Sequence, residues 1–238
     1  MAEPTSTPAV PLSLIARFIG VITSPKATFQ NVVAAPRPAG ILLVVALVIG
    51  VASAVPQFTE SGRQMVVDAQ LKAASGGGND VPPEVAARIE GFSAYLPYIT
   101  LVSSLIFLPL MSLIMTGLYW ALFNTVLGGT ATFKEALAVV THSQVIGALG
   151  VVAALPIMLM RPTASMGGPF NLAALLPMLE PGSMLAAFLG NVSVFSLWGV
   201  FVTAIGLGVL YRRKTAGVFA ALMVLYLLIT YVWTTFSR

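Results

Sequence analysis

Few residues in this chain are equipped for chemistry. His142 is its only histidine. It stands beside Thr141, Ser143 and Gln144, with Asn124 near the end of the preceding apolar segment. A titratable side chain within a membrane segment is by default a functional-site candidate, as a proton relay or a ligand contact. The competing role for such a cluster is hydrogen bonding between helices, worth about 0.6 kcal/mol per contact. One histidine does not make a metal site without further ligands, and no Asp or Glu lies deep in an apolar segment to join it. Neither a metal nor a cofactor is expected. The chain lacks Gly-x-Ser-x-Gly and His-Glu-x-x-His, and it contains no cysteine, which removes thiol catalysis and disulfides together. The acids Glu60, Asp68, Asp80, Glu84 and Glu90 are spread along one polar stretch with no paired spacing. A non-enzymatic protein is expected.

The second group of candidates is cationic. Arg212-Arg213-Lys214 forms a compact basic turn, and Lys26 and Arg37 extend it into a rim. Such a rim can bind anionic lipid headgroups, at about 1 kcal/mol per base near the surface. It can equally be what fixes topology. The net charge is +4, but the bases form no stripe able to neutralise several phosphates, so nucleic acid is not an expected partner.

These residues must be positioned by elements suited to lipid. The chain has 238 residues, 58% hydrophobic and only 8% charged, with a mean hydropathy of +0.94. A soluble domain carries about 25% charged residues, so a bilayer is the natural solvent. The expected fold is all-α: a polytopic transmembrane helical bundle of five spans with N-terminal amphipathic interfacial helices. Residues 1–11 read as a disordered tail, without the basic start and apolar core of a signal peptide. Residues 12–35 show two short amphipathic helices, the second opened by Ser24-Pro25-Lys26. Spans are expected at about 39–58, 96–127, 136–160, 186–211 and 216–236, each at least the 20 or so residues a bilayer requires and the second well beyond it. A polar loop with helical pieces fills 59–95, broken by Gly76-Gly77-Gly78. Thr132 and Glu135 have capping-box spacing at the start of the third span. Pro109 is a candidate kink in the long second span. The apolar run 170–179 is too short to cross and reads as a re-entrant or interfacial helix. Bases in the short segments favour a cytoplasmic N-terminus and an outside C-terminus.

Two local patterns resemble the Yip family, the Ypt/Rab-interacting proteins, in its bacterial form. One is the lead-in from Arg17 to Phe29, with its Ser24-Pro25 element. The other is the turn from Gly128-Gly129 through Phe133-Lys134 to Leu137. Span number and order agree, so the resemblance extends over roughly 12–236. The Asp-Leu-Tyr-Gly-Pro-type signature of the eukaryotic branch is absent. The resemblance implies a membrane domain over 12–238 in a bacterial cytoplasmic (inner) membrane. It implies a scaffold or adaptor that organises membrane or binds partner proteins. Expected partners are membrane lipids, and a partner protein or a second copy of the chain. The alternative is a small permease or lipid-handling protein with a polar cavity around His142, Gln144 and Asn124.

Overall fold

The computed structural model describes residues 12–75, 80–161, 168–176, 178–180 and 182–237. The expected tail at 1–11, the glycine break at 76–79 and the segment 162–167 lie outside the described residues. Among the described residues the chain is built of helices. Two short ones, α1 (Leu14–Thr23) and α2 (Pro25–Ala34), precede α3 (Pro38–Ala54), which ends in a 3-10 turn, Val55–Phe58. Then come α4 (Glu60–Ala74), α5 (Pro83–Gly91) and the long α6 (Leu96–Trp120), continued by a π-helical turn, Ala121–Val126. The helices α7 (Phe133–Ser143), α8 (Val145–Met160), α9 (Met184–Gly190), α10 (Val194–Leu210) and α11 (Thr215–Phe236) complete the order.

Among the described residues four helical segments are long and apolar enough to cross a membrane: Pro38–Phe58, Pro83–Val126, Phe133–Met160 and Thr215–Phe236. The expected fourth span is not one helix. It divides at 191–193 into α9, of seven residues, and α10, of seventeen. At 1.5 Å per residue α10 alone is about 25 Å long, short of a hydrocarbon core of about 30 Å. The break has a cause in the sequence. Asn191 is the C-cap of α9 and Ser193 the N-cap of α10, its side chain accepting from the Ser196 amide. The interrupted backbone pairs in a single antiparallel bridge between Asn171 and Ser193.

Other local expectations are also modified. Pro109 lies inside α6, which continues through it. The 170–179 run is not a single helix; its described part holds one-turn 3-10 segments, Gly168–Phe170 and Ala173–Leu175. Asn171 organises them, donating from Nδ2 to Gly168 O (2.6 Å) and accepting from the Ala174 amide (2.8 Å). The capping box at Thr132 and Glu135 is present.

The bundle centres on α7. Ala136, Ala138, Val139, Val140, Thr141, His142 and Ser143 are all buried, covering most of the helix circumference, and a helix buried on every side is a core element. α2, α3, α6 and α10 pack against it. α2 lies on the bundle through Phe29 and Val32, both fully buried. Phe29, Val139 and Gly206 bring α2, α7 and α10 together, and a Cβ at Gly206 would sit 2.5 Å from Val139 Cγ1 and 3.0 Å from Phe29. Gly217 faces open space. Gly206→Val is therefore expected to lower the unfolding temperature in detergent, at a cost of about 1–3 kcal/mol for overpacking. Gly217→Ala should leave it unchanged or raise it; equal losses in the two variants would contradict this packing.

Candidate functional site

The polar residues singled out in the sequence form separate contacts. His142 is 1% exposed. Its Nδ1 lies 2.6 Å from Ala138 O, and because a carbonyl only accepts, Nδ1 carries the hydrogen. Thr141 Oγ1 donates to Leu137 O and Ser143 Oγ to Val139 O, both 2.9 Å. All three side chains turn back onto their own helix, a pattern in which Ser and Thr satisfy themselves without a partner helix.

Gln144 is different. It occupies the single-residue junction between α7 and α8, and its amide reaches α6. Its Nε2 donates to Ser112 Oγ (2.7 Å), and its Oε1 lies 3.1 Å from the same hydroxyl. Ser112 is fully buried, and Thr116, one turn on, donates to Ser112 O. Asn124 is held at the other end of α6. Its Nδ2 donates to Ala131 O (2.7 Å), a carbonyl that also accepts from Trp120 Nε1 (2.9 Å). The five residues therefore do not share one set of hydrogen bonds.

Two further clasps were not singled out in the sequence. Gln57 exchanges hydrogen bonds with Thr100 (2.9 and 3.1 Å), tying the end of α3 to α6. Asn191 Nδ2 donates to Thr234 Oγ1 (3.0 Å), tying α9 to α11. The buried Arg17 was also passed over. It is 3% exposed, with Nε donating to Leu12 O (3.1 Å) and Nη1 to Ala35 O (3.2 Å). Ala35 is the C-cap of α2, so the guanidinium sits at the negative end of that helix. Burial, and then the nearby positive charge of Arg37, draw its pKa below the usual arginine value. Arg17 is also close enough to act electrostatically on the imidazole of His142. Its position was legible: Arg17 and Val21 share a face one turn apart, and both are buried.

The basic rim is split. Lys26 and Arg37 are exposed on α2 and at the start of α3, and Lys214 is exposed at the start of α11. Arg212 and Arg213, also exposed, line a cavity of about 620 Å³ with the Gly128-Gly129 turn, Gln30, Glu135 and Tyr211. A second cavity, of about 350 Å³ and mainly apolar, lies between α3, α8 and the start of α10, with Gly147, Gly150, Phe195 and Ser196 in its wall. Neither cavity is lined by His142, Gln144 or Asn124. Among the described residues no cluster of His, Cys, Asp and Glu is arranged to hold a metal.

Several apolar helices packed around a buried α7 define a multi-pass α-helical membrane protein. The chain belongs to the Yip1 family: the Yip1 domain matches residues 19–236, nearly its whole length. No curated protein and no solved structure matches it.

The Gln144–Ser112 contact is the direct link between α6 and the α7–α8 junction. A double-mutant cycle with Gln144→Ala and Ser112→Ala should give a coupling of about 0.6–1.7 kcal/mol. Additive losses would show that the two side chains do not support one another.

Proposed function

We propose that this Yip-type protein is a non-enzymatic membrane scaffold or adaptor, which binds partner proteins or a second copy of itself and organises the surrounding lipid. The observation that carries this reading is the closed state of its polar side chains. His142, Thr141 and Ser143 are bonded to carbonyls of their own helix, and Gln144 to Ser112 of α6. A relay or a permeation path needs such groups to face water or a substrate. In contrast, α6 presents a broad apolar surface that includes Ile106 and Phe107, both about 60% exposed. That surface suits lipid and the helices of a partner.

In this reading residues 12–238 form one membrane domain with five crossings, the broken α9–α10 pair serving as the fourth. The N-terminus is cytoplasmic and the C-terminus outside, in a bacterial cytoplasmic membrane. Support comes from the 620 Å³ cavity, which gathers Gln30, Gly128 to Ala131, Glu135 and Tyr211 to Arg213 at one end of the bundle. These belong to the segments that base counting assigns to the cytoplasm. α1 and α2 lie at the same interface, with Lys26 and Arg37 exposed toward headgroups.

A second reading, a lipid-handling protein, is favoured by the 350 Å³ apolar cavity beside the start of α10. Its size is within the range of about 300–1,000 Å³ usual for small-molecule sites. It is placed at α8 and α10, away from His142.

The test is photocrosslinking in native membranes, with a reactive residue at Ile106 or Phe107 and a buried control at Ser112. The scaffold reading expects a discrete protein adduct at the exposed positions and none at the control. Uptake or lipid transfer by the purified protein in liposomes, lost on Gly147→Leu and without any protein adduct, would replace it with the second reading. His142→Leu should leave the adduct intact.

A further inference from the structure

We propose that the cavity between the Gly128-Gly129 turn and the Tyr211–Arg213 turn binds a phosphate group, carried by a lipid headgroup or free in solution. The inference is independent of the scaffold reading, since it rests on what this cavity presents and not on what partners the spans meet.

Charge comes first. Two arginines, Arg212 and Arg213, line the cavity with one acid, Glu135. The carboxylate is partly engaged, because its Oε2 accepts from both the amide and the hydroxyl of Thr132 at 2.7 Å. Arg213 is fixed at the rim by donation from Nη2 to Leu127 O (2.6 Å), which anchors the last α10–α11 turn to the end of α6. Its planar fork retains further N–H groups, the arrangement that suits phosphate oxygens.

Backbone conformation supplies an independent observation. Arg212 has a φ of +53°, and it is the only non-glycine among the described residues with a positive φ. Its turn is closed by the Arg213 amide bonding to Gly208 O (2.9 Å). Helix ends of this type favour glycine or asparagine at the left-handed position. An arginine there is held at a conformational cost, at a position that lines the cavity. Outliers of this kind collect at ligand clamps.

A donor without an acceptor is the third observation. The Tyr211 hydroxyl is buried and has no hydrogen-bond partner. Its ring is immobilised, stacked on Phe123 at 4.9 Å between centroids. Gly129 passes so close to that ring that a Cβ would lie 2.6 Å from it. The Gly-Gly turn thus presses the tyrosine into the cavity wall. An unpartnered buried donor is costly; the hydroxyl has no exposed surface, so a phosphate oxygen accepts from it only once the cavity wall gives way around the ring. Asn124 Oδ1, likewise buried and unpartnered, is an acceptor outside the cavity lining and takes no part in holding an anion.

The test uses the full-length protein, stripped of lipid in detergent, with ligand binding read as a rise in unfolding temperature. The probes are dioctanoyl phosphatidic acid, inorganic phosphate, and dioctanoylglycerol as the phosphate-free control. Phosphatidic acid should stabilise the protein and dioctanoylglycerol should not. A response to inorganic phosphate at similar concentration assigns the site to a soluble ion; a response to the lipid alone assigns it to a headgroup. Arg212→Gln and Tyr211→Phe should each weaken binding at least fivefold, the latter with the ring stack intact. Lys214→Gln, exposed and outside the cavity, should change it less than twofold. Glu135→Gln keeps a capping-box residue and should tighten binding. No response to either phosphate probe would overturn the proposal. So would equal loss in Lys214→Gln and Arg212→Gln, or weaker binding in Glu135→Gln. If Arg212→Gln fails to fold, Tyr211→Phe decides alone.

Discussion

Peptide groups inside hydrocarbon have no water to bond, so every backbone N–H and C=O there must find a partner within the protein. This demand accounts for a chain built of helices, and it explains where the helices are allowed to stop. The α9–α10 interruption would leave peptide groups open in lipid. Instead Ser193 caps α10, Asn191 joins Thr234, and the Asn171–Ser193 bridge takes up the broken backbone. Polar side chains obey the same rule. Ser104, Ser112, Thr116, Thr141, Ser143, Thr203, Thr230 and Thr234 each donate to a carbonyl of their own helix.

With those groups satisfied locally, packing decides which helices meet. The hydrophobic effect gives no drive between helices already in lipid, so association depends on close fit and a few interhelical hydrogen bonds. The fit is tightest where Phe29 and Val139 meet over Gly206. The bonds are made by Gln57 with Thr100, Gln144 with Ser112, and Asn191 with Thr234. The opposite faces of α6 and α11 remain apolar and uncovered, with Phe107 and Trp233 among their exposed side chains. A rigid interior with broad lipid-facing sides is a reasonable platform for holding other membrane components.

Much of this was legible in the sequence, and the failures have physical causes. Long charge-free runs marked α3, α6 and α11, and Thr132 with Glu135 marked the start of α7. The break in the fourth segment was also written there. The Asn191-Val192-Ser193 triplet supplies a C-cap and an N-cap, but hydropathy averaging hides three residues inside an apolar run. Close approaches were harder. Gly147 and Gly217 face open space, while Gly206 carries the crossing. Which small residue meets a neighbour depends on crossing geometry, which no local pattern encodes. His142, Gln144 and Asn124 looked like one cluster because they are near one another in sequence. Their bonds lead respectively to α7 itself, to α6 and to the Gly-Gly turn. The basic turn was visible as charge; the cavity behind it, and the buried tyrosine hydroxyl, emerge only when residues some eighty positions apart are brought together.

The proposed five-crossing arrangement depends on whether α9 and α10, neither long enough alone, cross as a pair. The chain is free of cysteine, so single cysteines introduced at Ser24, Asp68, Lys214 and Ser237 can be probed in intact cells with a membrane-impermeant thiol reagent. The account predicts labelling of Ser237→Cys and Asp68→Cys, with Ser24→Cys and Lys214→Cys protected until the membrane is permeabilised. Labelling of Ser24→Cys and Ser237→Cys from the same side would mean an even number of crossings and would contradict it.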